Sequence, residues 1–167
     1  MPDYGIAFSQ ATTTTTYKTA LALAAASAAA SGIQIRRGKI FELNFGHGGP
    51  PNSTDTSIQW DVSRTATYNT TWVFGTSPAP NPDDGADPVF MGQCGTGATT
   101  EGTIAAQGSG LGLLNFLVNQ RAAYRWLAKD GKELIWPATA SNGAVVRALV
   151  VTAGYTGPAS GNAQFTE

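Results

Sequence analysis

Tyr124-Arg-Trp-Leu-Ala-Lys-Asp-Gly-Lys-Glu-Leu-Ile-Trp136 carries the strongest local signal in this chain. Asp130-Gly131 is a two-residue hairpin signature, because a type I′ turn demands positive φ at both central residues. Counting outward from it pairs Leu127 with Leu134, Trp126 with Ile135 and Arg125 with Trp136. One face of that hairpin then carries Arg125, Leu127, Leu134 and Trp136, and the other carries Tyr124, Trp126 and Ile135. Apolar bulk on both faces predicts cover on both: a sandwich core on one side, and a second layer, a loop or another chain on the other. Trp126 is expected to face the core. Arg125 and Trp136 are expected to face a partner, where guanidinium stacks on indole.

The other segments extend this into an all-β chain. Ser57-Ile-Gln-Trp-Asp-Val-Ser-Arg64 alternates Ile58, Trp60 and Val62 with Gln59, Asp61 and Ser63, predicting a strand with one core face and one wet face. Ile33, Ile35, Phe41, Leu43 and Phe45 share one parity, which predicts a long strand or a pair kinked at Gly38, ended by the loop Gly46-His-Gly-Gly-Pro-Pro51. A shorter strand is expected at Thr70-Thr-Trp-Val-Phe74, a buried apolar run at residues 111–118, a strand buried on both faces at 145–151, and a last short strand at 163–167. Residues 75–88 hold prolines and aspartates and read as an irregular excursion, and residues 89–110 are Gly- and Thr-rich with few anchors. Between residues 19 and 30, Ala and Leu suit a helix, yet Lys18-Thr-Ala-Leu-Ala-Leu23 alternates. A strand followed by an Ala/Ser loop is the preferred reading there, with a short helix as the alternative. Residues 1–16, with five threonines from Thr12 to Thr16, read as an extended arm, leaving 17–167 as a single domain. Short strands joined by Gly/Pro/Asn loops predict an antiparallel β-sandwich, with irregular loop lengths favouring a jelly-roll-like arrangement over a closed barrel.

Composition narrows the function. Charged residues make up 13% of the chain and nearly cancel to −1, about half the usual charged fraction of about 25%. That argues against an electrostatic nucleic-acid binder. Arg36, Arg37 and Lys39 form the one basic cluster, and a polar lead-in to a strand or a contact to an acidic neighbour explains it more simply. The lone Cys94 forms no internal disulfide and reads as a small buried hydrophobe. Neither a secretory leader nor a bilayer-spanning segment is expected, so synthesis in a cytoplasm is. Asn52-Ser-Thr54 and Asn69-Thr-Thr71 match the glycosylation pattern by coincidence on that reading.

Candidate chemistry is sparse. His47 is the only histidine and reads as a loop residue bonded to nearby backbone. Asp83, Asp84 and Asp87 could offer oxygens to calcium but lack the register of a calcium loop. Glu42 and Asp61 are the carboxylates expected on strands, where two acids flanking a groove would suit glycoside hydrolysis; nothing in the sequence brings them together. Trp60, Trp72, Trp126 and Trp136 raise the possibility of sugar stacking, although three of the four lie among apolar residues. No cofactor or metal motif is present, and a binding or building role is the better expectation.

The succession Lys18-Thr-Ala-Leu-Ala-Leu23, Lys39-Ile-Phe-Glu-Leu-Asn-Phe-Gly46, Ile58-Gln-Trp-Asp-Val-Ser-Arg64, the loop ending Asp87-Pro88, Tyr124 to Pro137, Val145-Val-Arg-Ala-Leu149 and Phe165-Thr-Glu167 resembles small tailed-bacteriophage capsid decoration or cement proteins with jelly-roll-type folds. The likeness covers nearly the whole chain after the Thr-rich arm and rests on strand pattern rather than a chemical motif. The Ala/Ser stretch at 24–31 is longer than in that group. The resemblance implies a homotrimer on the outer surface of an icosahedral head, bound to the major capsid protein, with no direct nucleic-acid or membrane contact. Tyr4 and Phe8 on the arm, with Arg125, Trp126 and Trp136, are the expected association residues. The alternative is a carbohydrate- or receptor-binding jelly roll of a tail or fibre, using Trp60 or Trp72.

Overall fold

The described residues form twelve strands: β1 (Asp3–Ala11), β2 (Lys18–Ala24), β3 (Gly38–His47), β4 (Ser57–Thr65), β5 (Val73–Thr76), β6 (Asn81–Pro82), β7 (Gln93–Thr100), β8 (Leu114–Asn119), β9 (Tyr124–Leu127), β10 (Leu134–Trp136), β11 (Gly143–Val150) and β12 (Pro158–Thr166). The structure is a computed structural model that describes residues 1–12, 16–66, 68, 72–102, 104, 112–151, 155 and 157–167. The strands form two antiparallel sheets. One runs β10-β3-β12-β1-β6, with β9 also on β3; the other runs β5-β7-β2-β11-β4-β8.

The pairing is nested. β1 pairs with β12, β2 with β11, β3 with β9 and β10, and β4 with β8. An antiparallel ribbon paired in this way and wrapped so that successive pairs alternate between sheets is a jelly roll, which meets the expected fold class. Strands β5 to β7 are inserted between β4 and β8. They widen the second sheet beside β2 and add β6 to the first sheet beside β1.

Alternation of side chains explains the main core. Tyr4 and Phe8 of β1, Ile40, Leu43 and Phe45 of β3, Ile58, Trp60 and Val62 of β4, Trp136 of β10 and Phe165 of β12 meet between the sheets. Aromatic rings knit the layers: Phe45 and Phe8 of the first sheet lie 5.0 Å and 6.2 Å from Trp60 of the second, between centroids. A second cluster covers the outside of the second sheet. Tyr68 and Trp72 pack there on Ala22, Ala24, Ala98 and Val145. β2 and β11 are therefore buried on both faces, as expected for residues 145–151. The Lys18 segment is a strand followed by a loop, as preferred.

Five expectations about the fold are corrected. First, residues 3–11 are not an arm: β1 runs between β12 and β6, and its nine residues pair with β12 from Asp3 opposite Thr166 to Ala11 opposite Pro158. The domain therefore begins well before residue 17. Gly5, Ala7 and Ser9 at the outward positions disguise the inward series Tyr4, Ile6 and Phe8; Thr13, Thr14 and Thr15 lie outside the described residues.

Second, residues 124–136 do not form a hairpin. Leu127 pairs with Glu42 and Leu134 with Ile40, so β9 and β10 lie end to end along the same flank of β3. The turn between them has Lys132 N–H donating to Lys129 O at 2.8 Å, with positive φ (74°) at Gly131 and none at Asp130. Positive φ at the third position alone is a type II turn. Type II turns splay their flanking strands, whereas type I′ turns match strand twist, so each arm bonds to β3 instead of to the other.

Third, the kink in β3 lies at Phe41 rather than Gly38. Gln164 pairs with Glu42 but Phe165 with Ile40, leaving Phe41 as an extra residue. The bulge turns Ile40 inward while Glu42 faces outward. Fourth, β8 is not buried on both faces: its burial alternates and Leu117 is exposed, as suits the last strand of a sheet. Its neighbour Leu111 lies outside the described residues. Fifth, the β4 face expected to be wet is covered, at Asp61 and Ser63.

Candidate interaction surface

β8 ends the second sheet and β9 the first, and the two edges meet on one side of the sandwich. Phe116 of β8 and Tyr124 of β9 stand 4.7 Å apart between ring centroids, with Phe45 4.8 Å from Phe116. This aromatic seam joins the sheets where neither has a further strand among the described residues. Beside it each edge exposes a leucine on its own sheet's outer face, Leu117 (60% exposed) on the second and Leu127 (60%) on the first, with Tyr124 (44%) between the sheets. Edge strands with free backbone groups and large apolar side chains are the usual template for another chain.

Beside Leu127, the outer face of the first sheet is polar. Arg125 grips Glu42 with two bonds, Nε to Oε1 and Nη2 to Oε2, both 2.8 Å. Asn44 donates to Glu42 Oε1 at 2.9 Å and to Asn162 Oδ1 at 2.7 Å. The Arg125 and Asn44 bonds hold the Glu42 carboxyl below its ordinary range. Arg125 is exposed, so the pair orients the edge more than it stabilises the fold.

The five expected association residues separate. Arg125 lies on the outer face, and half-buried Trp126, opposite Leu43, packs on the core as expected. Tyr4, Phe8 and Trp136 are buried inside the sandwich. Trp136 lies on the opposite face of the sheet from Arg125, because the excursion between β9 and β10 and the bulge at Phe41 break the parity that a simple hairpin would impose. Leu117 was hidden in the sequence inside an apolar run; the outward position of Leu127 follows only from its pairing with Glu42.

The other candidates are also placed. Trp60 and Trp72 are buried, which removes them as sugar-stacking platforms. Glu42 and Asp61 face outward from different sheets, so no groove lies between them. Asp61 is nearly buried; Arg147 Nε donates to its Oδ2 at 2.9 Å and Ser63 Oγ at 2.6 Å, while the Arg147 guanidinium lies 4.7 Å from the Tyr17 ring centroid. His47 Nδ1 lies 3.0 Å from Gly49 O, the local backbone contact expected of it. Asp84 caps its own turn through Ala86 N–H at 2.9 Å, and among the described residues no group of three His, Cys, Asp or Glu converges on a metal-sized site. Cys94 borders a cleft of about 430 Å³ with Tyr68, Pro78 and Phe90, and burial pushes its thiol up to about 12, far from a reactive thiolate.

No protein-family model, curated protein or solved structure matches the chain.

Proposed function

We propose that this chain is a noncatalytic structural protein of a tailed-bacteriophage virion, a jelly-roll decoration or cement module. It binds the outer surface of an icosahedral head, contacts the major capsid protein and self-associates as a homotrimer. The observation that carries the reading is the open side of the sandwich, where two unpaired sheet edges expose Leu117, Tyr124 and Leu127. A protein that clamps shell subunits needs such a surface and no reaction centre. The nested strand order agrees with the jelly-roll pattern implied by the sequence resemblance. Burial of Trp60 and Trp72 weighs against the glycan-binding alternative.

The test is co-sedimentation of purified protein with phage heads lacking it. The wild-type chain pellets with heads, and Leu117→Asp/Leu127→Asp, with both changes at exposed positions, loses most of that binding while keeping its circular dichroism. A wild-type chain that stays in the supernatant with intact heads counts against the proposal.

A further inference from the structure

The two terminal flanks of the first sheet carry opposite charge. At one end β6 pairs only with β1, and Asp83 N–H donates to Asp3 O at 2.9 Å, which brings the 83–87 loop beside the start of β1. Asp3, Asp83, Asp84 and Asp87 gather there and outnumber Arg36, whose charge acts on Tyr4 and Glu167 at the same end. At the other end Lys39 lies directly opposite Ile135 of β10, and Lys129 and Lys132 bracket the turn between β9 and β10. Arg64 Nε donates to Ile135 O at 3.3 Å. Glu133 Oε1 accepts the Gly131 N–H at 3.3 Å beside Lys39, while Arg37 lies between the two flanks, in a pocket with Met1, Pro2 and Glu167. Lys39, Arg64, Lys129 and Lys132 thus outnumber Asp130 and Glu133 at this flank.

None of Asp3, Asp83, Asp84, Asp87, Lys39, Lys129 or Lys132 sits in an ion pair among the described residues. Each flank also exposes an apolar side chain: Leu127 on the basic side, 60% exposed, and Val89 next to the acidic loop, 75% exposed. An apolar contact with a rim of one sign facing its mirror in charge is what selects a partner and its orientation.

We propose that copies of this chain join head to tail, the basic β9/β10 flank of one against the acidic β1/β6 flank of the next. The occupant of each flank is a second copy, because the complementary surface is on the same molecule. Such a heterologous contact closes into a ring when successive rotations complete a turn. The inference rests on the homotrimer reading above and gives it a polarity.

Light scattering with salt and charge-swap variants tests it. The wild type should run as an oligomer at low salt and shift to monomer as salt shortens the Debye length from about 10 Å at 0.1 M to about 3 Å at 1 M. Asp3→Lys/Asp83→Lys and Lys129→Glu/Lys132→Glu change exposed side chains; each should be folded by circular dichroism and at least tenfold weaker in self-association. An equimolar mixture of the two should associate again, because each restores one complementary flank. Folded variants with the wild-type mass, or a mixture that stays monomeric, would overturn the contact. So would a wild type that is monomeric at every salt concentration. Co-sedimentation with heads separates the two claims: a monomer that still pellets with heads sinks only the head-to-tail contact, and an oligomer that does not pellet sinks only the decoration reading.

Discussion

The indole of Trp136 occupies the space where a side chain on Gly38 would stand: a β-carbon built on Gly38 would lie 1.8 Å from Trp136 Cζ2. The two residues are paired across β10 and β3, and the ring then reaches Phe165 in the core. Gly38→Ala should therefore destabilise by about 3 kcal/mol, the upper end of overpacking costs, because rigid aromatic atoms and not a flexible side-chain tip fill the space. Chemical denaturation checks it, and a loss below about 0.5 kcal/mol would show that the indole moves aside freely.

A second prediction follows from the end-to-end placement of β9 and β10. Leu127 pairs with Glu42, Ala128 N–H donates to Phe41 O at 2.8 Å, and Leu134 pairs with Ile40, so residues 129–133 loop out of a continuous register. Deleting those five residues should join Ala128 to Leu134 as one strand along β3, leaving cooperative unfolding intact and the melting temperature within a few degrees of wild type. In a true hairpin the same deletion removes the turn, and the fold would be lost.

These two sites also show what the sequence could and could not convey. β4 was readable because Ile58, Trp60 and Val62 alternate without interruption, and β11 because Val145 and Val146 demand cover on both faces. The misreading at Asp130-Gly131 has a local cause: Asp-Gly serves type I′ and type II turns alike, and only the sign of φ at Asp130 separates a hairpin from an interrupted edge strand. β7 escaped notice since Gln-Cys-Gly-Thr-Gly-Ala-Thr-Thr lacks bulky β-formers. Its Gly95 is required by tertiary packing, because a β-carbon there would meet the Phe74 ring at 2.3 Å. The exposure of Arg125 was legible in the sequence and that of Leu117 was not, since exposure along an edge depends on which strand comes last in the sheet.

Glu101 provides a third prediction. β2 bulges against β11 between Leu21 and Thr19, and the Glu101 carboxylate accepts Thr19 N–H at 2.8 Å and Thr19 Oγ–H at 2.6 Å. Thr19 is fully buried, so its amide has no route to water. Glu101→Ala should cost about 1–3 kcal/mol, the penalty of an unsatisfied buried donor, and lower the melting temperature by roughly 2–4 °C per kcal/mol. Glu101→Gln retains one acceptor and should lose less. Equal losses in the two variants would show that the carboxyl does not cap the bulge.

Two glutamates set opposite pH slopes. Glu42 is depressed by its bonds from Arg125 and Asn44, so its contribution is present above the ordinary glutamate pKa of about 4.3 and is lost as pH falls through the lower folded value. Glu167 is raised, chiefly by burial and against the Met91 N–H bond at 2.7 Å. Its ionisation penalty is absent below about pH 4.3 and grows as pH rises through the higher folded value. Glu167→Gln should raise the melting temperature at pH 8 and leave it nearly unchanged at pH 4, while Arg125→Ala should flatten the acid limb slightly. Melting curves across this range decide it; a Glu167→Gln variant less stable than wild type at pH 8 would contradict the assignment.

The central claim, a jelly-roll module on the outside of a phage head, is tested most directly by electron cryomicroscopy of virions from a phage that encodes this chain. The account predicts two-sheet density seated on the outer shell at junctions of the major capsid protein, with the Leu117, Tyr124 and Leu127 side in contact with a neighbouring subunit. Heads bare at those junctions, with this chain found in the tail or missing from the particle, would contradict it.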